Sequence, residues 1–192
     1  MTDREEILQI FKKTNALMEG HFQLTSGLHS DKYMQCAKVF QYPEFAEVLA
    51  RQLALSFEED GVEIVIGPAL GGIILAYEVA RSIGVKNIFA ERENGIMVLR
   101  RGFELPKNTR VLVVEDVVTT GGSVREVMEL VASMGSMVVG VGSLVDRSQG
   151  LADFGVKFRA LLSMKVQSHA PDSCPLCLLG IPIVKPGSRK IV

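Results

Sequence analysis

VLVVEDVVTTGGSV, residues 111–124, sets four valine or leucine residues, Val111 to Val114, against two adjacent carboxylates, Glu115 and Asp116. Val117 and Val118 follow, then the small polar run Thr119, Thr120, Gly121, Gly122 and Ser123, and then a helical pattern. The order predicts a buried strand, a small-residue turn and a helix start. Free backbone N–H groups at a helix start, approached closely through glycine, suit a phosphate monoester. The two acids sit just before that turn, where they would accept hydrogen bonds from sugar hydroxyls. A strand meeting a helix through a Gly-rich turn accounts for the glycines. It does not account for paired acids at a strand's C-terminal end, the place where open α/β sheets bind ligands. A phosphate at one end and a diol at the other describe ribose 5-phosphate.

Working outward, apolar strands alternate with helices. Strands are expected at Glu63–Gly67, Asn87–Glu91, Arg110–Glu115 and Met137–Val145, with Arg159–Val166 as an edge candidate. Helices are expected from Pro43 through Phe57, from about Gly72 to Ser82 and from about Thr120 to Met134. Nearly all-apolar strands separated by helices imply a parallel sheet covered on both faces. Asn94-Gly95, inside ERENGIMVLRRG, marks a two-residue hairpin turn. At the N-terminus, residues 3–19 read as a helix with Leu8, Phe11 and Leu17 on one side, Asp3 as cap and Gly20 as stop. FQLTSGLHSDKYMQC then reads as two short strands around Ser26-Gly27. A second strand–turn–helix junction, IVIGPALGG at Ile64–Gly72, offers the N–H groups of Ala69, Leu70, Gly71 and Gly72 to another anion.

The order of strand, two acids, two apolar residues, Thr and small residues resembles the phosphoribosyl pyrophosphate (PRPP) motif of type I phosphoribosyltransferases. It is neither a P-loop nor a GxGxxG turn. The resemblance implies an α/β fold, a parallel sheet flanked by helices with a small N-terminal hood and an exposed hairpin loop. It also makes Ile64–Gly72 the pyrophosphate loop. Phe22, Leu24, Ser26-Gly27, Ser30 and Tyr33 are similar in spacing to the N-terminal segment of orotate phosphoribosyltransferases, with Thr25 where that family often has lysine. Ser143-Leu-Val-Asp-Arg147 then places Arg147 as the family's orotate-binding arginine, a guanidinium suited to a carboxylate or ring carbonyl.

What the resemblance implies is therefore transfer of the 5-phosphoribosyl group from PRPP to orotate in pyrimidine synthesis. Glu115 and Asp116 would hold the ribose hydroxyls and shield the cationic ring. Thr119 to Ser123 would bind the 5-phosphate, with Val117 and Val118 also against PRPP, residues 69–72 and Arg92 would bind the pyrophosphate, and Thr119, Arg147 and Ser26 the orotate. No side chain is expected as a resident metal ligand; Mg²⁺ would arrive mainly on PRPP. In the family a mobile loop brings lysines and a histidine over the pyrophosphate, often from the other subunit of a dimer. The equivalent Glu91–Phe103 has neither, so arginines, Arg101 foremost, would replace them. The alternatives are a type I enzyme acting on a purine or other base, or a non-catalytic PRPP-binding regulator.

The whole chain fits this frame. Its 192 residues suit a single domain, divided as 1–42 for helix and hood, 43–166 for the α/β core and 167–192 for a C-terminal segment. A net charge of −1 with interspersed signs gives no footprint for nucleic acid or an anionic membrane. No apolar run reaches the ~20 residues of a membrane helix, and MTDREEILQIF is no signal peptide; a cytoplasmic enzyme is expected. Three cysteines argue against a disulfide framework. Cys174-Pro-Leu-Cys177 is half of a zinc ribbon, with His169 as a candidate third ligand, and zinc, redox and plain structural roles stay open.

Overall fold

In the computed structural model, residues 4–24 and 26–186 are described; Asp3 and Thr25 lie outside them. Strands β3 (Ile64–Pro68), β4 (Lys86–Glu93), β5 (Ile96–Leu99), β6 (Arg110–Val118), β7 (Met137–Asp146) and β8 (Phe158–Ser163) form one sheet in the order β5-β4-β3-β6-β7-β8. All neighbours are parallel except β5, the return strand of a hairpin on β4. Asn94 and Gly95 both have positive φ, 52° and 85°, as a tight hairpin turn of this kind needs.

Successive residues of the central strands face opposite layers, and both layers are apolar. Val65, Leu112 and Val114 pack beneath α2 (Pro43–Leu55) and α3 (Gly71–Ile83). Ile64, Ile66, Val111 and Val113 pack beneath α4 (Gly122–Ser133). From β3 the chain crosses to β4 on one side; from β6 it crosses to β7 and β8 on the other. The turns after β3 and β6 therefore diverge, and the crevice between them is the switch point where α/β sheets bind ligands.

Two expectations need correction. The first helix, α1 (Arg4–Lys13), ends before Leu17. Thr14 Oγ1 donates to the Ile10 carbonyl at 2.9 Å, Asn15 takes a left-handed φ of 52° and Ala16 N–H returns to Phe11 O. That left-handed closure ends the helix, so Leu17 and Gly20 belong to β1 (Leu17–Gln23) instead. The strand carrying the acids also runs to Val118 rather than stopping at Glu115, because β7 continues pairing through Val117↔Val145 and Val118↔Asp146. Glu115 and Asp116 thus sit on a hydrogen-bonded strand, not on a loop.

The hood is a second sheet, β1 and β2 (His29–Met34) antiparallel, joined by β9 (Ser168–His169). The C-terminal segment is therefore part of the hood sheet, although 130 or so residues of chain separate the two. A short 3₁₀ helix, Cys36–Gln41, leads from the hood into α2.

Candidate active site

The turn after β6 is built for an anion. Gly121 sits at the N-cap of α4 with φ 78°, a conformation side chains resist, and a Cβ there would lie 2.8 Å from Phe154 and 2.9 Å from Arg125. Behind the turn, Arg125 donates to the Thr120 carbonyl at 2.6 Å and to the Asp153 carbonyl at 3.0 Å, with its guanidinium over the Phe154 ring. The carbonyls are thereby held back, and the amides of the first helical turn are left facing outward. Val117 to Ser123 line a cleft of about 220 Å³ together with Glu115, Arg92 and Glu126.

Glu115 and Asp116 stand at the floor of the crevice. Asp116 Oδ1 accepts from Val117 N–H at 2.8 Å, which fixes the carboxylate's rotamer. Across the switch point it faces the turn after β3: a Cβ on Gly71 would lie 2.8 Å from Asp116 Oδ1. A side chain at position 71 would therefore displace the Asp116 carboxylate. A Cβ on Gly72 would likewise meet Val114 O at 2.9 Å. Burial, with the negative charge of Asp116 as the second cause, pushes the Glu115 carboxyl up to about 8.

The turn after β3 is less generous than its sequence suggests. Ala69 N–H is already bonded to Ala90 O at 2.7 Å, so the anion-facing donors are those of Leu70, Gly71 and Gly72. The Ala69–Leu70 peptide is cis, and Leu70 projects into solvent with 85% of its surface exposed.

The arginines divide. Arg147 lies beside the motif, its backbone N–H bonded to Val118 O at 2.8 Å. Its Nε is buried with no hydrogen-bond partner. Asp146 does not take it: its Oδ1 accepts from Ser148 N–H instead. Arg147 and the two acids all act on the buried Cys36 thiol, which burial and then Asp116 raise and Arg147 lowers. That common influence puts the start of the 3₁₀ helix next to the crevice. Arg92 lines the cleft and pairs with Glu126 of α4. Glu126 was missed in the sequence, where it reads as a plain helix-surface acid.

Asp116, Arg147 and residues 69–72 border this cleft without lining it, and Arg101 and Ser26 also stand outside its lining. Arg101 pairs with Glu91 at 2.8 Å and lies over Phe89, while Arg100 pairs with Glu93 at 3.5 Å. Within one chain, then, the hairpin cations are neutralised by acids on β4. Ser26 is exposed at the tip of the β1–β2 loop. The half-ribbon cysteines gather with His21 and His29 rather than with the candidate ligand His169.

A strand-end acid pair facing a Gly–Gly turn, with an anion loop beside it, defines a phosphoribosyltransferase. The phosphoribosyl transferase domain family matches residues 38–159. Orotate phosphoribosyltransferase from Pelotomaculum thermopropionicum is 61% identical over 98% of this chain and 99% of its own length. The enzyme of that name from Caldanaerobacter subterraneus is 58% identical over 98% of this chain and all of its own. Among solved structures, the orotate phosphoribosyltransferase of Aeropyrum pernix superposes with a TM-score of 0.70 at 28% identity, covering 82% of this chain and 93% of that one. The chain belongs to the orotate phosphoribosyltransferase family.

Proposed function

We propose that the chain transfers the 5-phosphoribosyl group of PRPP to orotate, giving orotidine 5'-monophosphate and pyrophosphate, by positioning and charge stabilisation rather than covalent catalysis. The observation that carries this is the meeting of Asp116 with Gly71 at the switch point. It brings a site for ribose hydroxyls against a site for pyrophosphate, with the 5-phosphate loop one turn further along.

In this reading the amides from Thr119 to Ser123 fix the 5-phosphate, aided by the dipole of α4 with about 0.3–1 kcal/mol. Asp116 accepts from the ribose hydroxyls. The bond from the anomeric carbon to pyrophosphate breaks as a ring nitrogen of orotate closes on that carbon, so positive charge develops on the ribose ring. The Glu115–Asp116 pair lies where that charge develops and stabilises it. Leu70, Gly71 and Gly72 amides, with Arg92, hold the departing pyrophosphate. Arg147, whose buried Nε has a free donor, engages the orotate carboxylate beside Thr119, and Ser26 reaches the base from the hood.

The crevice offers a hard cation only two carboxylates, since its backbone N–H groups face anions, and that suits an ion carried in on substrate better than a dedicated cage. Mg²⁺ bound through PRPP would neutralise the leaving group. The enzyme is further read as a cytoplasmic homodimer whose 91–103 loop completes the neighbouring site. Among the described residues no helix is long and apolar enough to cross a membrane.

Replacing Asp116 tests the reading. In Asp116→Asn the amide oxygen still accepts from Val117 N–H, so the melting temperature should stay close to that of the parent. Pyrophosphate release should disappear. Near-normal turnover would remove Asp116 from the ribose site.

A further inference from the structure

We propose that His21, His29, Cys174 and Cys177 form a closed N₂S₂ site for a structural Zn²⁺ that clamps the C-terminal segment onto the hood. Two elements far apart in sequence supply the ligands. His21 and His29 come from the β1–β2 hairpin, where one extra residue between Glu19 and Phe22 shifts the register. Such a bulge re-aims side chains: the chain neighbours His21 and Phe22 are both buried, at 3% and 6% exposure. Cys174 and Cys177 bracket Pro175-Leu176 at the start of the single-turn helix α5 (Pro175–Leu178), which turns both thiols to one side.

Four ligand atoms converge within 4.8 Å of one another. His21 Nε2 is 3.0 Å from His29 Nδ1, 3.5 Å from Cys174 Sγ and 3.7 Å from Cys177 Sγ. His29 Nδ1 is 3.2 Å from Cys177 Sγ. A tetrahedral zinc with Zn–N of about 2.05 Å and Zn–S of about 2.3 Å sets its ligand atoms roughly 3.3–3.8 Å apart. These four spacings scatter about such a shell by a few tenths of an ångström, with the whole group inside 4.8 Å.

Proton placement argues the same way. His21 Nδ1 is 2.7 Å from the Ile181 carbonyl, which can only accept, so Nδ1 carries the proton and Nε2 turns a lone pair inward. A carbonyl fixing the tautomer of a ligating imidazole is the usual outer partner of a metal site. Two imidazole nitrogens with two thiolates favour zinc over Mg²⁺ or Ca²⁺, which take oxygen ligands.

The clamp also has a structural task. Of residues 163–186, Cys174 alone is fully buried, whereas Leu178 and Leu179 are 81% and 74% exposed. Backbone pairing of His29 and Ser30 with His169 and Ser168, and of Val184 with His21 and Gln23, also holds this segment. So short a segment, with almost no core, gains its order from a metal, since ligand binding free energy is folding free energy. The hairpin so held is the one that carries Ser26-Gly27.

The test uses the untagged full-length chain, purified with reductant and without chelators, and its metal is measured by mass spectrometry. One zinc per chain is expected. Substitution with Co²⁺ should give intense tetrahedral ligand-field bands in the visible and a thiolate charge-transfer band in the near ultraviolet. Cys177→Ser and His29→Ala should retain under a tenth of the zinc, whereas His169→Ala keeps it. Stripping the metal should open Lys165, which precedes Val166, to trypsin before the core is cut. Three results would overturn the proposal: no stoichiometric zinc and no tetrahedral Co²⁺ spectrum in the folded parent, full zinc in a folded Cys177→Ser protein, or a Cys174–Cys177 disulfide in protein alkylated at lysis.

Discussion

At the scale of single residues, the site is a set of charges with few partners of their own. Arg147 is the sharpest case, a cation whose Nε is buried and unbonded. Losing one charged hydrogen bond costs on the order of 1.5–3 kcal/mol. In Arg147→Ala, orotate affinity should therefore fall by roughly one to two powers of ten while PRPP affinity changes little. Calorimetry with each substrate checks this, and equal damage to both in a cooperatively folded protein would refute a role specific to the base. Glu115 supplies a pH dependence. Its folded value, about 8, lies above the ordinary 4.5, chiefly through burial. The folded chain thus holds a proton that the unfolded chain gives up, and stability falls as pH rises from about 4.5 to about 8. Glu115→Gln removes that loss. Its melting temperature relative to the parent should rise across this window and level off above it, and a flat difference from acid to alkaline pH would contradict the assignment.

At the scale of elements, the strands and their turns were legible because their causes are local. Both faces of β3 and β6 are covered, so their sequences are continuous apolar runs, and Asn94-Gly95 can adopt the positive φ that the β4–β5 turn requires. The end of α1 was misread because Leu17 keeps helical spacing; the decisive residue is Asn15, whose left-handed φ is a backbone choice that apolar periodicity does not register. The C-terminal strand of the hood was illegible for the opposite reason. Ser168–His169 is a two-residue strand whose partner, β2, lies far away in the chain. The hairpin carries the prediction at this scale. Arg101 is exposed, and exposed ion pairs add little to stability, so Arg101→Ala should barely move the melting temperature. If the loop reaches a neighbouring site and supplies a preorganised phosphate donor, turnover should fall by ~10²–10³. Arg101→Ala mixed with Asp116→Asn should then regain activity, since one heterodimer site has both residues intact. No recovery after proven subunit exchange would mean the loop does not act in trans.

At the scale of the molecule, the sheet order sets where chemistry can occur and the appended pieces set what is recognised. The switch point between β3 and β6 brings the acid pair, the Gly71–Gly72 turn and the turn before α4 together. In the proposed reading, choice of base rests on pieces added to that frame: Arg147 just past the end of β7, and the hood with its Ser26-Gly27 tip. The central claim is that this combination selects orotate. The most direct measurement is pyrophosphate release by the intact chain with PRPP and Mg²⁺, in parallel reactions with orotate, uracil, adenine, guanine and hypoxanthine. Release with orotate, accompanied by orotidine 5'-monophosphate and absent with the other bases, is the predicted result; turnover of a purine in preference to orotate, or none with any base by folded protein that binds PRPP, would contradict it.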